Sequence, residues 1–388
     1  MKRTIRWKLG LALVTAASFT GCFNHESVKL PSRNTASADV QPPLELGERW
    51  DSSNDAQTDD VIATNERMLI ERSKDESYIH RDAHPKHHGC VKAFVEVDAS
   101  ALSSDLRVGI FAAKSSFPAW IRFSNGNPDG VHSPDADKDI RGMAIKLMNV
   151  QGSPSGSQDF VMLTSKEFFS EDADDYVELH RALSNKASLF WYLGTHWKQA
   201  GILLHGQIKA PNPLQVEYFS SVPYKLGTRS MKFKALPCAT GALHDEMPDE
   251  PSPNFLRERL VSSLKSTSAC YELFVQPNMD PDANPVENPM IAWDEAVSPY
   301  VRVATLHIPQ QSEIDSDAHL NFCENLSFSP WHTLPETRPL GQINRMRRKI
   351  YSSISEVRHR ANHIPQVEPR SHEICTGETA PLCLAPKL

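Results

Sequence analysis

Apolar and polar side chains alternate through residues 90–97 (CVKAFVEV), the period of a half-buried strand. Residues 119–124 (AWIRFS) predict a second strand, stopped by the turn signal Asn125, Gly126, Asn127, Pro128. Residues 142–149 (GMAIKLMN) and 158–163 (QDFVML) predict a third and a fourth. Four strands so closely spaced predict an antiparallel meander that closes into a barrel. Later strands are expected at 235–238, 269–276 and 301–308. The period changes at 172–183, where Tyr176, Leu179 and Leu183 share one side of a helix, and residues 188–200 predict another. Residues 340–360 predict a long basic helix, with Ile343, Met346, Ile350 and Ile354 at helical spacing. No internal repeat is present.

The two ends read differently. Lys2, Arg3, Arg6 and Lys8 precede a short apolar run at 9–19, and Thr20 and Gly21 then lead to Cys22. This is the pattern of a secretory signal peptide, with the cysteine of a lipobox at the cleavage point. Residues 1–21 are therefore expected to be a lipoprotein signal peptide. An acylated Cys22 would anchor an exported, periplasm-facing chain, with the outer membrane preferred. If Cys22 is not acylated, the chain is expected to be plainly periplasmic. Residues 22–65 are polar with little apolar periodicity and predict a tether. The folded domain is expected over 66–370, and 371–388 read as a loop-like tail. Cys375 and Cys383 are the easiest pair to bridge in an oxidising compartment; Cys90, Cys238, Cys270 and Cys323 cannot be paired from sequence.

Composition narrows the function classes. The chain has 388 residues, 40% hydrophobic and 23% charged, with a net charge of −7. An acidic balance without a basic patch argues against nucleic-acid binding. There is no CxxC zinc or redox pair, no Walker or dinucleotide-binding glycine pattern, and no nucleophile elbow. Asp135, Asp137 and Asp139 resemble a calcium loop only briefly. Ile140 stands where the turn needs glycine and Lys146 where a bidentate Glu is needed, so a solvated acidic loop is expected.

Two segments carry candidate chemistry. Histidines crowd at His80, His84, His87 and His88, but Pro85 breaks any helix that would put two of them on one face. Further on, Arg347 and Tyr351 lie one helical turn apart. An arginine hydrogen-bonded to a phenol supplies a fixed counter-charge for the phenolate, and tyrosinate is a haem ligand. Taken singly, each segment also reads as surface: a histidine cluster, and a tyrosine on a basic helix.

In order and together, these segments resemble the catalase superfamily, especially its shorter bacterial members. The run Arg81-Asp82-Ala83-His84-Pro85-Lys86, followed by the strand at Phe94–Val97, resembles the family's distal histidine segment. Trp120-Ile121-Arg122-Phe123-Ser124 resembles its VRFS strand, and Asp139-Ile140-Arg141-Gly142-Met143-Ala144-Ile145-Lys146 its DPRGFAVKF strand. Gln158-Asp159-Phe160-Val161 with Phe168-Phe169, then Leu326-Ser327-Phe328-Ser329-Pro330, then Arg347, Tyr351 and Arg358 follow at family spacing. The likeness covers roughly residues 75–365.

The resemblance implies an α+β fold, a catalase-like antiparallel barrel with flanking helices, and haem b between the barrel and the C-terminal helix. It implies Tyr351 as iron ligand with Arg347 as its counter-charge. His84 would be the distal acid–base group and Ser124 the residue that fixes its ring. Arg81, Arg122 and Arg358 would meet the propionates. His88 is the second choice for the distal histidine. The implied activity is that of a haem peroxidase or catalase-like oxidoreductase on hydrogen peroxide or an organic hydroperoxide. The chain departs from the family at Leu163 and Thr164, which stand where a distal asparagine pair is usual, and at Lys166, where proline is usual. That departure also admits a fatty-acid hydroperoxide isomerase or lyase, or a non-catalytic haem-binding lipoprotein.

Overall fold

The computed structural model describes residues 41–127 and 130–374. Cys22, Cys375, Cys383 and the expected signal peptide lie outside the described residues. The strands are β1 (His87–Val97), β2 (Ser115–Asn125), β3 (Arg141–Met148), β4 (Ser157–Leu163), β5 (Tyr218–Phe219), β6 (Tyr224–Leu226), β7 (Arg229–Pro237), β8 (Ala269–Pro277) and β9 (Val301–Ile308). Every pairing is antiparallel, in the order β5-β4-β3-β2-β1-β9-β8-β7-β6. A further β5–β7 pairing closes eight of these strands into a barrel and leaves β6 as a hairpin arm on β7. The antiparallel barrel with flanking helices expected from the alternation is the fold observed.

The pleat sorts the side chains. Phe123 turns into the barrel, where its ring approaches those of Tyr218 and Tyr271, and Phe160 meets Phe233 edge to face. The neighbours Arg122 and Ser124 therefore point to the outer face, as does Trp120, which packs on His319 and Phe322. The helices are α1 (Ser52–Arg72), α2 (Ala173–Ala182), α3 (Lys186–Thr195), α4 (Trp197–Gly206), α5 (Phe255–Ser266), α6 (Asp317–Asn325) and α7 (Gln342–Ala361). The single helix expected over 188–200 is divided at His196 into α3 and α4. Helices α5 and α6 are additional to the expected elements, although α5 buries Phe255, Leu256, Leu260, Val261 and Leu264 along one helical face.

Part of the stretch expected to be a tether is folded. Asp51 caps α1 in a reciprocal capping box with Asn54. The buried stripe of α1 runs Thr58, Val61, Ile62, Asn65, Met68, Leu69. Half of its early positions are polar, which hides a helical period that α7 and α2 nonetheless cover. Ahead of α1, Glu48 accepts from Arg338 at 2.8 Å, Arg345 at 2.7 Å and the Gly341 amide at 3.0 Å. The Pro42 and Pro43 carbonyls take further arginine protons. Residues 42–65 thus belong to the folded body. Glu48→Ala leaves two buried guanidinium groups without their shared carboxylate. It is expected to destabilise the fold by about 3–5 kcal/mol, read from denaturant unfolding of the two chains.

Residues 371–374 lie against the barrel: the Trp120 indole donates to the Ser371 carbonyl at 3.2 Å and His372 approaches the Ala119 carbonyl at 2.9 Å. The expected acidic loop at 135–139 is not solvated at its start. Asp135 is fully buried, paired with Lys86 at 2.8 Å and receiving the Asn125 amide at 2.8 Å. Two disulfides are formed, Cys90–Cys323 and Cys238–Cys270. The first ties the start of β1 to α6 across 233 residues, a cross-link of a length that stabilises by about 5 kcal/mol in the chain-entropy model.

Candidate functional site

The site is built on the outer face of the barrel from the segment before β1, the ends of β2, β3 and β4, and one face of α7. Register places Ser124, Gly142 and Leu163 opposite one another on β2, β3 and β4. The His84 ring lies over the middle of this row. Its Nδ1 is 3.2 Å from Ser124 Oγ, and a Cβ added at Gly142 would come within 2.6 Å of that nitrogen. Glycine at 142 is thus a requirement for the ring's position. His84 itself has φ of 55°, a left-handed conformation uncommon for a residue with a side chain. Its carbonyl accepts from Arg122 at 2.8 Å, which fixes the turn from below.

On the far side of the site, α7 presents Arg347 and Tyr351. The guanidinium donates to the Tyr351 hydroxyl at 2.8 Å and to Asn344 Oδ1 at 2.9 Å. Burial works against the Arg347 charge, yet the phenols of Tyr351, Tyr224 and Tyr176 around it hold its pKa above the ordinary arginine range. The two halves share one interior. Burial pushes the His84 imidazole down to about 3, and the charges of Arg122, Arg347 and Arg81 press in the same direction. The ring is therefore neutral at neutral pH.

Arg81, Arg122 and Arg358 form the third part. Arg81 donates to the carbonyls of Cys323, Glu324 and Leu326 at the end of α6, where the helix dipole favours positive charge. Arg358 donates to the Glu324 carbonyl at 3.1 Å. Burial and the nearness of Arg122 and Arg358 lower the Arg81 pKa, as expected when like charges share a dry site. Glu324 is the carboxylate among them. Burial opposes its charge, but His80, Arg81, His87 and Arg358 hold it well below the usual carboxylate range. The Nε atoms of Arg81 and Arg122 are buried without a hydrogen-bond partner. A cleft of about 320 Å³, lined by Leu69, Arg72, His80, Arg81, Pro85 and His132 among others, opens beside this cluster.

All seven residues singled out from the sequence, His84, Ser124, Arg81, Arg122, Arg347, Tyr351 and Arg358, therefore gather around one region. His88 does not. Its Nε2 is 2.8 Å from Asn125 Oδ1 and its Nδ1 is 3.8 Å from Asp135, on the other side of the turn. His87 faces Glu324 at 3.7 Å. Sequence reading missed Glu324 as a site residue, although it lies two residues before the motif at 326–330, and missed the steric role of Gly142. At one of the positions where the sequence departs from the pattern it resembles, the Thr164 hydroxyl is committed to backbone. It donates to the Gly206 carbonyl at 2.6 Å and accepts from the Arg141 amide at 3.1 Å. Leu163, next in the row from Gly142, offers no polar atom to the space beside His84.

Acid should unfold this protein early. Burial lowers His84 and His88 to about 3, and His180 and His359 to about 4. Below about pH 6.5 the unfolded chain binds protons that these rings refuse, so stability is lost as pH falls towards 4. Asp82, raised to about 6 by burial, works the other way but is outnumbered. At about 1.4 kcal/mol per pKa unit, a loss of several kcal/mol is expected between pH 7 and pH 4.5. Melting temperatures across that range check it, and a flat profile would contradict neutral buried rings.

The barrel and its helices are similar to solved catalases. A fungal catalase superposes with a TM-score of 0.58 at 17% identity, covering 75% of this chain and 60% of that one. Catalase A from Saccharomyces cerevisiae gives 0.57 at 16%, covering 81% and 66%. A bacterial catalase gives 0.59 at 17%, covering 89% and 68%. The chain thus spans 60% to 68% of the length of these proteins, and what it shares with them is the fold. No family model and no curated protein matches the chain.

Proposed function

We propose that this chain is a haem-dependent oxidoreductase of peroxidase or catalase-like type, acting on hydrogen peroxide or an organic hydroperoxide. The observation that carries the reading is the arginine-bonded phenol of Tyr351 sharing one interior with the Ser124-held imidazole of His84. The residues present fit haem b. Three clustered arginines, two with unpartnered buried Nε atoms, have Glu324 as their neighbouring carboxylate, a shortage that two propionates would meet. When bound, haem supplies an iron at which the O–O bond of a peroxide is polarised and broken.

The chain's own residues do the rest. Tyr351 would hold the iron as phenolate, with Arg347 as the counter-charge. Arg81, Arg122 and Arg358 would hold the propionates. His84, neutral at neutral pH, can take the proton of one peroxide oxygen and return it to the other. Ser124, through Nδ1, leaves Nε2 as the working nitrogen. A second reading, isomerisation or cleavage of a fatty-acid hydroperoxide on the same haem, is favoured by Leu163 and the committed Thr164 hydroxyl. Neither can orient hydrogen peroxide as an asparagine amide does.

The same proposal places the protein outside the cytoplasm, anchored through an acylated Cys22. Support comes from the N-terminal pattern and from two disulfides, which suit an oxidising compartment. The test is an absorption spectrum of the protein expressed with haemin, before and after hydrogen peroxide and, separately, a lipid hydroperoxide. A Soret band that responds to hydrogen peroxide is the expected result. A response to the lipid hydroperoxide alone selects the second reading. A band that neither peroxide changes leaves a haem-binding protein without catalysis, and no band overturns the proposal.

A further inference from the structure

Among the described residues, eight large apolar side chains are exposed, and four of them fall on the α3–α4 hairpin. Phe190, Trp191, Trp197 and Leu204 are each between 68% and 73% exposed. Phe190 and Trp191 touch edge to face, and Lys198 lies over the Trp197 ring. The hairpin is held from its other side. Leu189 and Leu193 pack with buried Tyr192, Leu179 and Ala182, and the Tyr192 hydroxyl and Gln199 amide both bond to Asp175 of α2. The aromatic groups are therefore displayed by a fixed scaffold.

Charge singles out the same hairpin. The chain has 48 Asp and Glu in 388 residues and a net charge of −7. Yet residues 179–216 contain no carboxylate, and the hairpin itself carries Lys186 and Lys198. Arg181, just ahead of it, is paired with Asp60 of α1, and His196 lies 3.7 Å from Glu178. An isologous pairing of two copies through the hairpin would set lysine against lysine, so a second copy is disfavoured. Tryptophan and phenylalanine flanked by lysine, on helices that lie along a surface, are the composition of an interfacial membrane contact.

We propose that the α3–α4 hairpin is a membrane-docking surface that seats Phe190, Trp191, Trp197 and Leu204 at the headgroup boundary of an anionic phospholipid bilayer. The proposal does not depend on haem, and it is separate from the anchoring role proposed for Cys22. The docked surface adjoins the candidate site, because α4 ends at Gly206, whose carbonyl accepts the Thr164 hydroxyl beside Leu163.

The test uses the chain from residue 22 onward with Cys22→Ala, so that neither the expected signal peptide nor acylation contributes, against vesicles with brominated acyl chains. Vesicles rich in phosphatidylglycerol are compared with phosphatidylcholine. Expected are co-sedimentation with the anionic vesicles and quenching of tryptophan fluorescence by the bromine. Trp191→Ser with Trp197→Ser is expected to weaken partitioning by about tenfold or more relative to the parent, with melting temperature unchanged. Lys186→Glu with Lys198→Glu is expected to weaken binding to the anionic vesicles and leave the weak binding to phosphatidylcholine unchanged. Equal sedimentation of the parent and the tryptophan variant overturns the proposal. So does a parent that ignores vesicles, whether it is a monomer or a dimer that the tryptophan variant dissociates.

Discussion

Tyr351→Phe is expected to give a folded chain that no longer retains haem. The phenol oxygen is the group Arg347 grips at 2.8 Å, and it is the iron ligand proposed above. Removing it leaves one donor of the buried Arg347 without its acceptor, a stability loss of about 1–3 kcal/mol. Haem content after gel filtration, measured by absorbance against protein, should fall by about tenfold or more, because the proposed iron ligand would be lost while the proposed arginine contacts would remain. Arg347→Gln separates ligand from counter-charge. It keeps the phenol and should retain more haem than Tyr351→Phe, with a shifted spectrum. An unchanged spectrum in Tyr351→Phe would show that iron, if bound, is held elsewhere.

The second large effect is on turnover. His84→Ala is expected to retain haem and lose about 10²–10⁴-fold in kcat with hydrogen peroxide, the usual range for a positioned acid–base group. Ser124→Ala leaves the imidazole in place but removes the contact to Nδ1. A smaller loss is expected there, with the pH profile altered, because the ring can then change tautomer. With a lipid hydroperoxide, His84→Ala should lose less, since rearrangement demands less proton transfer. Equal losses on both substrates would show that His84 supports the pocket and does not move protons.

How much of this was legible in the sequence depended on how each residue is held. The strands β1 to β4 alternate because one pleat face fills the barrel and the other meets helices and site, so their period is plain. Helix α7 showed itself through Ile343, Met346, Ile350 and Ile354, which are all buried. Helix α1 did not, because Asn54, Thr58 and Asn65 are buried polar residues, the first two held by hydrogen bonds that hydropathy does not record. Glu48 was lost with it: a carboxylate in a polar stretch reads as solvent-facing until the two arginines it joins, some 290 residues away in sequence, are placed. In the site, residues carried on one helix kept their motif spacing, as Arg347, Tyr351 and Arg358 do along α7. What spacing could not reveal was occupancy. The Thr164 hydroxyl is bound to backbone, and Gly142 is the floor under the imidazole. Likewise the choice between His84 and His88 turns on which way a left-handed residue sends the chain.

The Cys90–Cys323 bond gives that assembly a particular kind of rigidity. Cys90 follows His87 and His88 into β1, and Cys323 precedes Glu324, whose carboxylate lies 3.7 Å from His87 and whose carbonyl receives both Arg81 and Arg358. Short helices at the edge of a domain ordinarily open on their own, at a free-energy cost well below that of unfolding. Here α6 cannot swing away without taking β1 with it, and β1 is paired on both edges within the closed barrel. The acceptor floor beneath the arginines is therefore removed from the set of independently fluctuating parts. Amide exchange at residues 323–326 should share the slow rates of the barrel strands and leave those of the outlying α3–α4 hairpin behind.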